Sequence, residues 1–294
     1  MKPTRYISLI LVCALALYTF SACSSGSATA TKLGMEETVS FLTSKDCDGR
    51  LVGSAGNEKA AEYIKSSFES LGLVPYTGDS FGVAYEQRDA YDPDNCNFDL
   101  KFFISGEWKT AEPGIDYMPT IRTDEVSGEY DIVRPEKDYS QKALLLGEND
   151  SAKEYIGENS PALFLALSSE MMLIRPSTDT VPTIRLTESG YNMAASAEKV
   201  AVNISTPIKT VSAENIVGMI PGKDSTRAVV VSAHFDHVGR IGKVIYPGGH
   251  DNASGVAVML RIAQLLTEKA ETPAADVIFC AFNGEEGGLK ARVR

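Results

Sequence analysis

Two short apolar runs set the frame of the C-terminal third of the chain. Residues 227–232 and 276–282 are rich in β-branched and aromatic side chains and read as buried strands. Between them Val256, Met259, Leu260, Ile262, Ala263 and Leu266 recur at helical spacing. Residues 214–220 form a further strand, ended by Pro221-Gly222 and expected to pair with 229–231. Near the N-terminus, residues 35–44 predict a short helix. Ala61, Ile64, Phe68 and Leu71 predict a second one, with Asn57 placed to cap it and Gly72 to end it.

From about Tyr91 the texture changes to short β-rich runs separated by turns, at 98–104, 130–133, 143–146, 162–167, 182–186 and 200–204. Helical signal there is confined to 151–156 and 188–197. The pattern predicts an α/β protein with a mixed, mostly parallel sheet flanked by helices. Residues 32–92 and 209–294 form its discontinuous main domain, and 93–208 an inserted, mostly β domain.

Composition changes this picture little. An apolar content of 44% with 23% charged residues is that of a globular chain with a sizeable core. The net charge of −11 argues against nucleic acid, because nothing would neutralise phosphates. No internal stretch is long and apolar enough to span a membrane.

Residues 1–22 read instead as an export signal, with Lys2 and Arg5 before the apolar run 7–17. Phe20-Ser21-Ala22-Cys23 ends it as in a bacterial lipoprotein, with Cys23 as the lipidated residue. A plain secretory signal is the alternative. Residues 23–31 form a flexible tether. The expectation is an exported protein anchored through Cys23, on the outer side of the cytoplasmic membrane or in the periplasm. Its oligomeric state stays open. Cys47 and Cys96 are candidates for pairing, and Cys280 for a small buried apolar side chain. Asn203-Ile204-Ser205 matches a glycosylation sequon that such a lipoprotein would not use.

The chemistry concentrates in three clusters. His234-Phe235-Asp236-His237 follows the first strand, Asp251-Asn252 opens the helix, and Glu285-Glu286 sits in a Gly-rich turn after the second strand. Open α/β sheets place their sites outside the carboxyl ends of strands. The three histidines of the chain all fall within 234–250. His234 reads as a metal ligand or a structural histidine, and Asp236 as the acceptor that fixes its tautomer. Asp251 reads as a helix cap or as a carboxylate shared by two cations. Of Glu285 and Glu286, one is suited to bind metal and the other to stay free as a base.

These motifs, His-Phe-Asp-His-Val-Gly, Asp-Asn-Ala-Ser-Gly and Phe-Asn-Gly-Glu-Glu-Gly-Gly-Leu, resemble the co-catalytic di-zinc aminopeptidase family. That family includes aminopeptidase Y-like and glutamate carboxypeptidase-like enzymes. The stretch Cys47-Asp48-Gly49-Arg50-Leu51-Val52-Gly53-Ser54 also resembles it. Val181-Pro182-Thr183-Ile184 resembles the protease-associated domain often inserted there.

The resemblance implies a zinc exopeptidase acting on peptides with two Zn2+ ions. His234 would bind one ion, Glu286 the other, and Asp251 both. Glu285 would be the general base, Asp236 would orient His234, and the Asp251–Asn252 peptide would be of the cis type. The family draws two more ligands, an Asp and a His, from a later part of the fold. None follows here before Arg294, so the chain resembles a C-terminally truncated member, expected to be inactive as it stands. His237 and His250 read as neighbours of the ligands or as loop residues, with substitution for those ligands as the alternative. Two other readings remain. One is a non-catalytic peptide-binding or scaffold relative, and the other a glutaminyl cyclase-like single-zinc enzyme.

Overall fold

In the computed structural model, residues 34–119, 125–169, 180–269 and 271–288 are described. The export signal, Cys23 and the tether lie outside them. The described residues form one unit. Its first elements are helix α1 (Met35–Leu42), a 3-10 turn (Lys45–Arg50) and helix α2 (Ala55–Ser70).

Strands β1 (Val74–Pro75) and β2 (Gly82–Tyr91) follow. Then come β3 (Asn97–Ile104), β4 (Glu107–Thr110), β5 (Tyr117–Pro119), β6 (Val126–Val133), β7 (Ala143–Leu146), β8 (Leu163–Leu167) and β9 (Thr183–Leu186). Helix α3 (Glu188–Ala195) and strands β10 (Lys199–Ser205), β11 (Ile208–Ile220) and β12 (Asp224–His234) come next. A small hairpin of β13 (Arg240–Ile241) and β14 (Val244–Ile245), helix α4 (Ser254–Glu268) and β15 (Ala275–Phe282) complete the set.

One sheet has the order β1-β11-β15-β12, with β2 also paired to β11. It is mixed, but only β12 and β15 run parallel; the pairings of β11 with β1, β2 and β15 are antiparallel. The expected pairing of β11 with β12 does not form, because β15 lies between them. The reason is the β12-α4-β15 unit: a helical crossover returns the chain parallel to the strand it left and takes the adjacent place. The core of this part joins Leu42 of α1, Ile64 and Phe68 of α2, and Val256, Met259 and Leu260 of α4 to Ile216, Phe235 and Phe279 of the sheet region.

The second sheet, β4-β3-β10-β6-β7-β8-β9-β5, is drawn wholly from residues 97–205. Its middle strands β6 to β9 are parallel, and Leu100, Phe102, Leu145, Leu165 and Leu186 are buried in its core. Helix α2 is capped by Ser54, whose hydroxyl accepts the Asn57 N–H at 3.2 Å, rather than by Asn57 itself. Cys47, Cys96 and Cys280 are free thiols. Among the described residues no helix is long and apolar enough to cross a membrane.

Candidate metal centre

His234 and Phe282, the last residues of β12 and β15, are register partners in the parallel pair. The loops that leave them, 235–239 and 283–288, therefore start side by side, and the N–H of Phe235 continues the ladder to the Phe282 carbonyl at 2.9 Å. The turn 249–253 brings Asp251 to the same edge, with His234 Nε2 3.1 Å from Asp251 Oδ1. The Asp251–Asn252 peptide is cis. Asn252 Oδ1 accepts the Gly255 N–H at 3.1 Å, while Ala253 holds the N-cap position of α4. The Asp251 carboxylate, 60% exposed, is left free to meet other groups.

Asp236 is 1% exposed and ties two loops together. Its two oxygens accept the backbone N–H groups of Glu285 at 3.2 Å and Glu286 at 3.1 Å. His234 Nδ1 is 3.6 Å from Asp236 Oδ1 and 3.3 Å from the Asp236 carbonyl. The first separation is long for a hydrogen bond but short for Coulomb attraction. Burial pulls the His234 pKa down, but Asp236, and then the charges of Glu285 and Asp251, outweigh it and raise it to about 9.

The Glu285-Glu286 turn is held from behind by uncharged groups. Asn283 and Asn57 exchange side-chain amide hydrogen bonds of 3.0 and 2.9 Å. The Asn283 N–H donates to Asn215 Oδ1 at 2.9 Å, and the Tyr85 hydroxyl donates to the Asn283 carbonyl at 2.6 Å. Gly284 sits at φ 79°, and a Cβ there would lie 2.5 Å from the Tyr85 hydroxyl oxygen. Only glycine fits that position without strain. Burial, with the Asp236 charge, raises the Tyr85 pKa, so its hydroxyl stays a donor.

Two side chains of this turn face different neighbours. Glu286 Oε1 is 2.8 Å from His237 Nδ1, and both side chains are largely buried. Glu285 makes no side-chain hydrogen bond or ion pair among the described residues. Ligand atoms of His237, Asp251 and Glu286 lie within 4.8 Å of one another, while His234 reaches Asp251 from its other neighbourhood. A set of imidazole nitrogens and carboxylate oxygens fits zinc.

His234, Asp236, Asp251, Glu285 and Glu286 all gather at this edge. His250 is exposed on a cleft of about 600 Å3 that it shares with Asp251, Asn252, Val231, Ser232 and Met259. Sequence reasoning gave Asn57 only a helix cap and assigned no part in the site to it, Tyr85, Asn215 or Asn283. Of these only Asn283 lay inside a quoted motif, and its partners come from 68 to 226 residues away.

Residues 215–291 match the model of peptidase family M28. A probable zinc metalloprotease of Pyricularia oryzae is 37% identical over 112 residues, which are 36% of this chain and 20% of that protein. A glutamate carboxypeptidase 2 homolog of Caenorhabditis briggsae is 32% identical over 97 residues, 31% of this chain and 12% of that protein.

Among solved structures, a zinc aminopeptidase from Bacillus subtilis superposes with a TM-score of 0.58 at 21% identity, covering 87% of this chain and 62% of that one. A peptidase M28 precursor from Shewanella amazonensis SB2B gives 0.59 at 15% identity, with 89% and 67% covered. At these identities the structures speak for the fold. This chain spans about a fifth or less of the curated relatives and about two thirds of the solved structures. Residues 215–291 thus carry the signature of peptidase family M28, and the mixed α/β fold is similar to that of a solved zinc aminopeptidase and a solved M28 peptidase.

Proposed function

We propose that this protein is a zinc-dependent exopeptidase of the aminopeptidase type, which removes N-terminal residues from peptides with water as the nucleophile. The observation that carries the reading is the place of Asp251. One carboxylate meets His234 at 3.1 Å and also belongs to the His237–Asp251–Glu286 group. A carboxylate so placed suits two cations that share it. His234, Asp251 and Glu286 would hold the ions, with Asp251 common to both.

Zinc, when bound, would supply a Lewis acid for the scissile carbonyl and acidify the attacking water. The protein groups do the rest. Glu285, with no hydrogen-bond or ion-pair partner among the described residues, takes the proton from that water and passes it to the leaving amine. Asp236 holds the turn that carries Glu285 and keeps a negative charge beside His234. His237 fixes the rotamer of Glu286 through its 2.8 Å contact. Residues 93–208, which carry the second sheet, fit a protease-associated-like insert that would flank the site.

The first test is a zinc titration followed by hydrolysis of an aminoacyl anilide. Two equivalents of zinc are expected, with Asp251→Asn losing both and His234→Ala losing one. Glu285→Gln should keep the zinc and lower hydrolysis by about 10²-fold or more. Zinc uptake with no hydrolysis by residues 1–294 is what the expected inactivity of this stretch predicts; the same outcome in a version carrying the family's two further ligands would point to a peptide-binding relative. Hydrolysis that survives Glu285→Gln or zinc removal would sink the peptidase mechanism.

A further inference from the structure

Arg50 heads the largest fully buried side chains among the described residues, with no exposed surface. All the partners of its guanidinium are backbone carbonyls. Nε donates to Phe235 at 2.7 Å, Nη1 to Leu42 and to Pro247 at 2.8 Å, and Nη2 to Gly248 at 2.9 Å. Its own carbonyl accepts the N–H of His237 at 3.1 Å, and the neighbouring Gly49 carbonyl accepts that of Gly239 at 3.0 Å. The backbones run so close that a Cβ on Gly49 would lie 2.3 Å from the Gly239 carbonyl oxygen.

A buried guanidinium without a carboxylate partner is a poor way to stabilise a core, since an apolar side chain of similar volume is often as good or better. What only an arginine supplies is a rigid planar fork that reaches several acceptors at a fixed spacing. The acceptors here are informative. Phe235 lies between His234 and Asp236, and Pro247 and Gly248 lead into the turn that carries Asp251. Phe235 itself continues the β12–β15 ladder and the Tyr246 N–H donates to the Gly239 carbonyl at 2.9 Å, so a hairpin base already links the two segments; Arg50 adds a direct tie from Phe235 to Pro247 and Gly248. The guanidinium also lies in the fields of Asp236, Asp251 and Glu286, where its charge offsets some of their mutual repulsion.

We propose that Arg50 is a positioning residue for the metal centre, a clamp on three backbone segments that sets the separation of His234 and Asp251 before any ion arrives. This rests on the zinc reading above, and it adds a residue remote from the ligands that governs metal affinity. Arg50→Lys keeps the charge but not the fork, and Arg50→Gln keeps donors but not the charge.

The test is zinc affinity by titration against a competing chelator, for both variants and for Leu165→Ala in β8 as a control for general destabilisation. Circular dichroism and thermal unfolding are read in parallel. Zinc affinity should fall roughly 10–100-fold in Arg50→Lys, the range seen when residues supporting metal ligands are lost, and further in Arg50→Gln. Leu165→Ala should lose thermal stability yet stay within about twofold of the parent affinity. A folded Arg50→Lys with parental affinity, a control that loses as much, or failure of both Arg50 variants to fold would each overturn the proposal. Absence of zinc uptake by the unsubstituted protein would instead overturn the metal reading, and this one with it.

Discussion

At the scale of single residues, the centre depends on how a few backbone atoms are held. Glu285 and Glu286 are neighbours in sequence, yet one carboxylate is fixed against His237 and the other has no partner among the described residues. The difference arises because Asp236 pins both of their N–H groups while Gly284 turns the chain at a positive φ. Gly284→Ala is therefore expected to cost about 1–2 kcal/mol through backbone strain and crowding against Tyr85. It should also weaken zinc binding, because the turn must shift to admit the methyl group. Chemical denaturation and zinc titration on the same preparation check both effects. Unchanged zinc affinity in a destabilised variant would separate the turn from the centre. This residue-level detail was only partly legible in the sequence. The charged and glycine residues of the site stood out as motifs. Arg50 lay inside a quoted motif and Asn57 was read as a helix cap, but the part of neither in the centre was visible, because their partners are a carbonyl 185 residues away and an amide 226 residues away.

At the scale of elements, local pattern and long-range pairing part company. Helices α2 and α4 and strands β12 and β15 follow from periodicity and β-branched runs, because each buries one stripe or a short apolar core. Strand β2 escaped notice. Glu86, Arg88 and Asp89 interrupt its apolar pattern, and what makes it a strand is its antiparallel register with β11. Its end is fixed to β11 by Asp92. There Oδ2 accepts from Asn95 at 2.7 Å and Oδ1 from Lys209 at 3.0 Å. The Asn95 hydrogen bond, with help from Lys209 and against the cost of burial, holds the Asp92 pKa below the ordinary carboxylate value. The unfolded chain therefore binds this proton at higher pH than the folded one. The stabilising contribution is present above about pH 4 and is lost as pH falls through the depressed folded value. Asp92→Asn should cost about 1 kcal/mol at pH 7, discounted for the half-exposed Lys209. The gap to the unsubstituted protein should narrow as denaturation is repeated towards pH 3. A gap that is constant with pH would assign the loss to packing rather than to charge.

At the scale of the whole molecule, one edge of the main sheet is at odds with the charge of the chain. Strand β12 closes the order β1-β11-β15-β12, and among the described strands nothing pairs with its outer side. Val229 and Val230, consecutive and so pointing to opposite faces, are 56% and 58% exposed. An apolar strand edge with free N–H and C=O groups is a template for another strand. A net charge of −11 works the other way, since like-charged copies repel. Which effect wins depends on ionic strength, because repulsion between whole molecules is screened within about 10 Å at 0.1 M salt while edge pairing acts at contact. Association of the protein is therefore expected to grow with salt concentration rather than to fall, as it would if ion pairs held the copies together. Val230→Lys should restore a monomer at high salt, with a change in unfolding free energy of no more than about 0.5 kcal/mol. Light scattering across a salt series reads the result. Association that weakens with salt, or that persists unchanged in Val230→Lys, would place the contact elsewhere on the surface and leave the β12 edge inert.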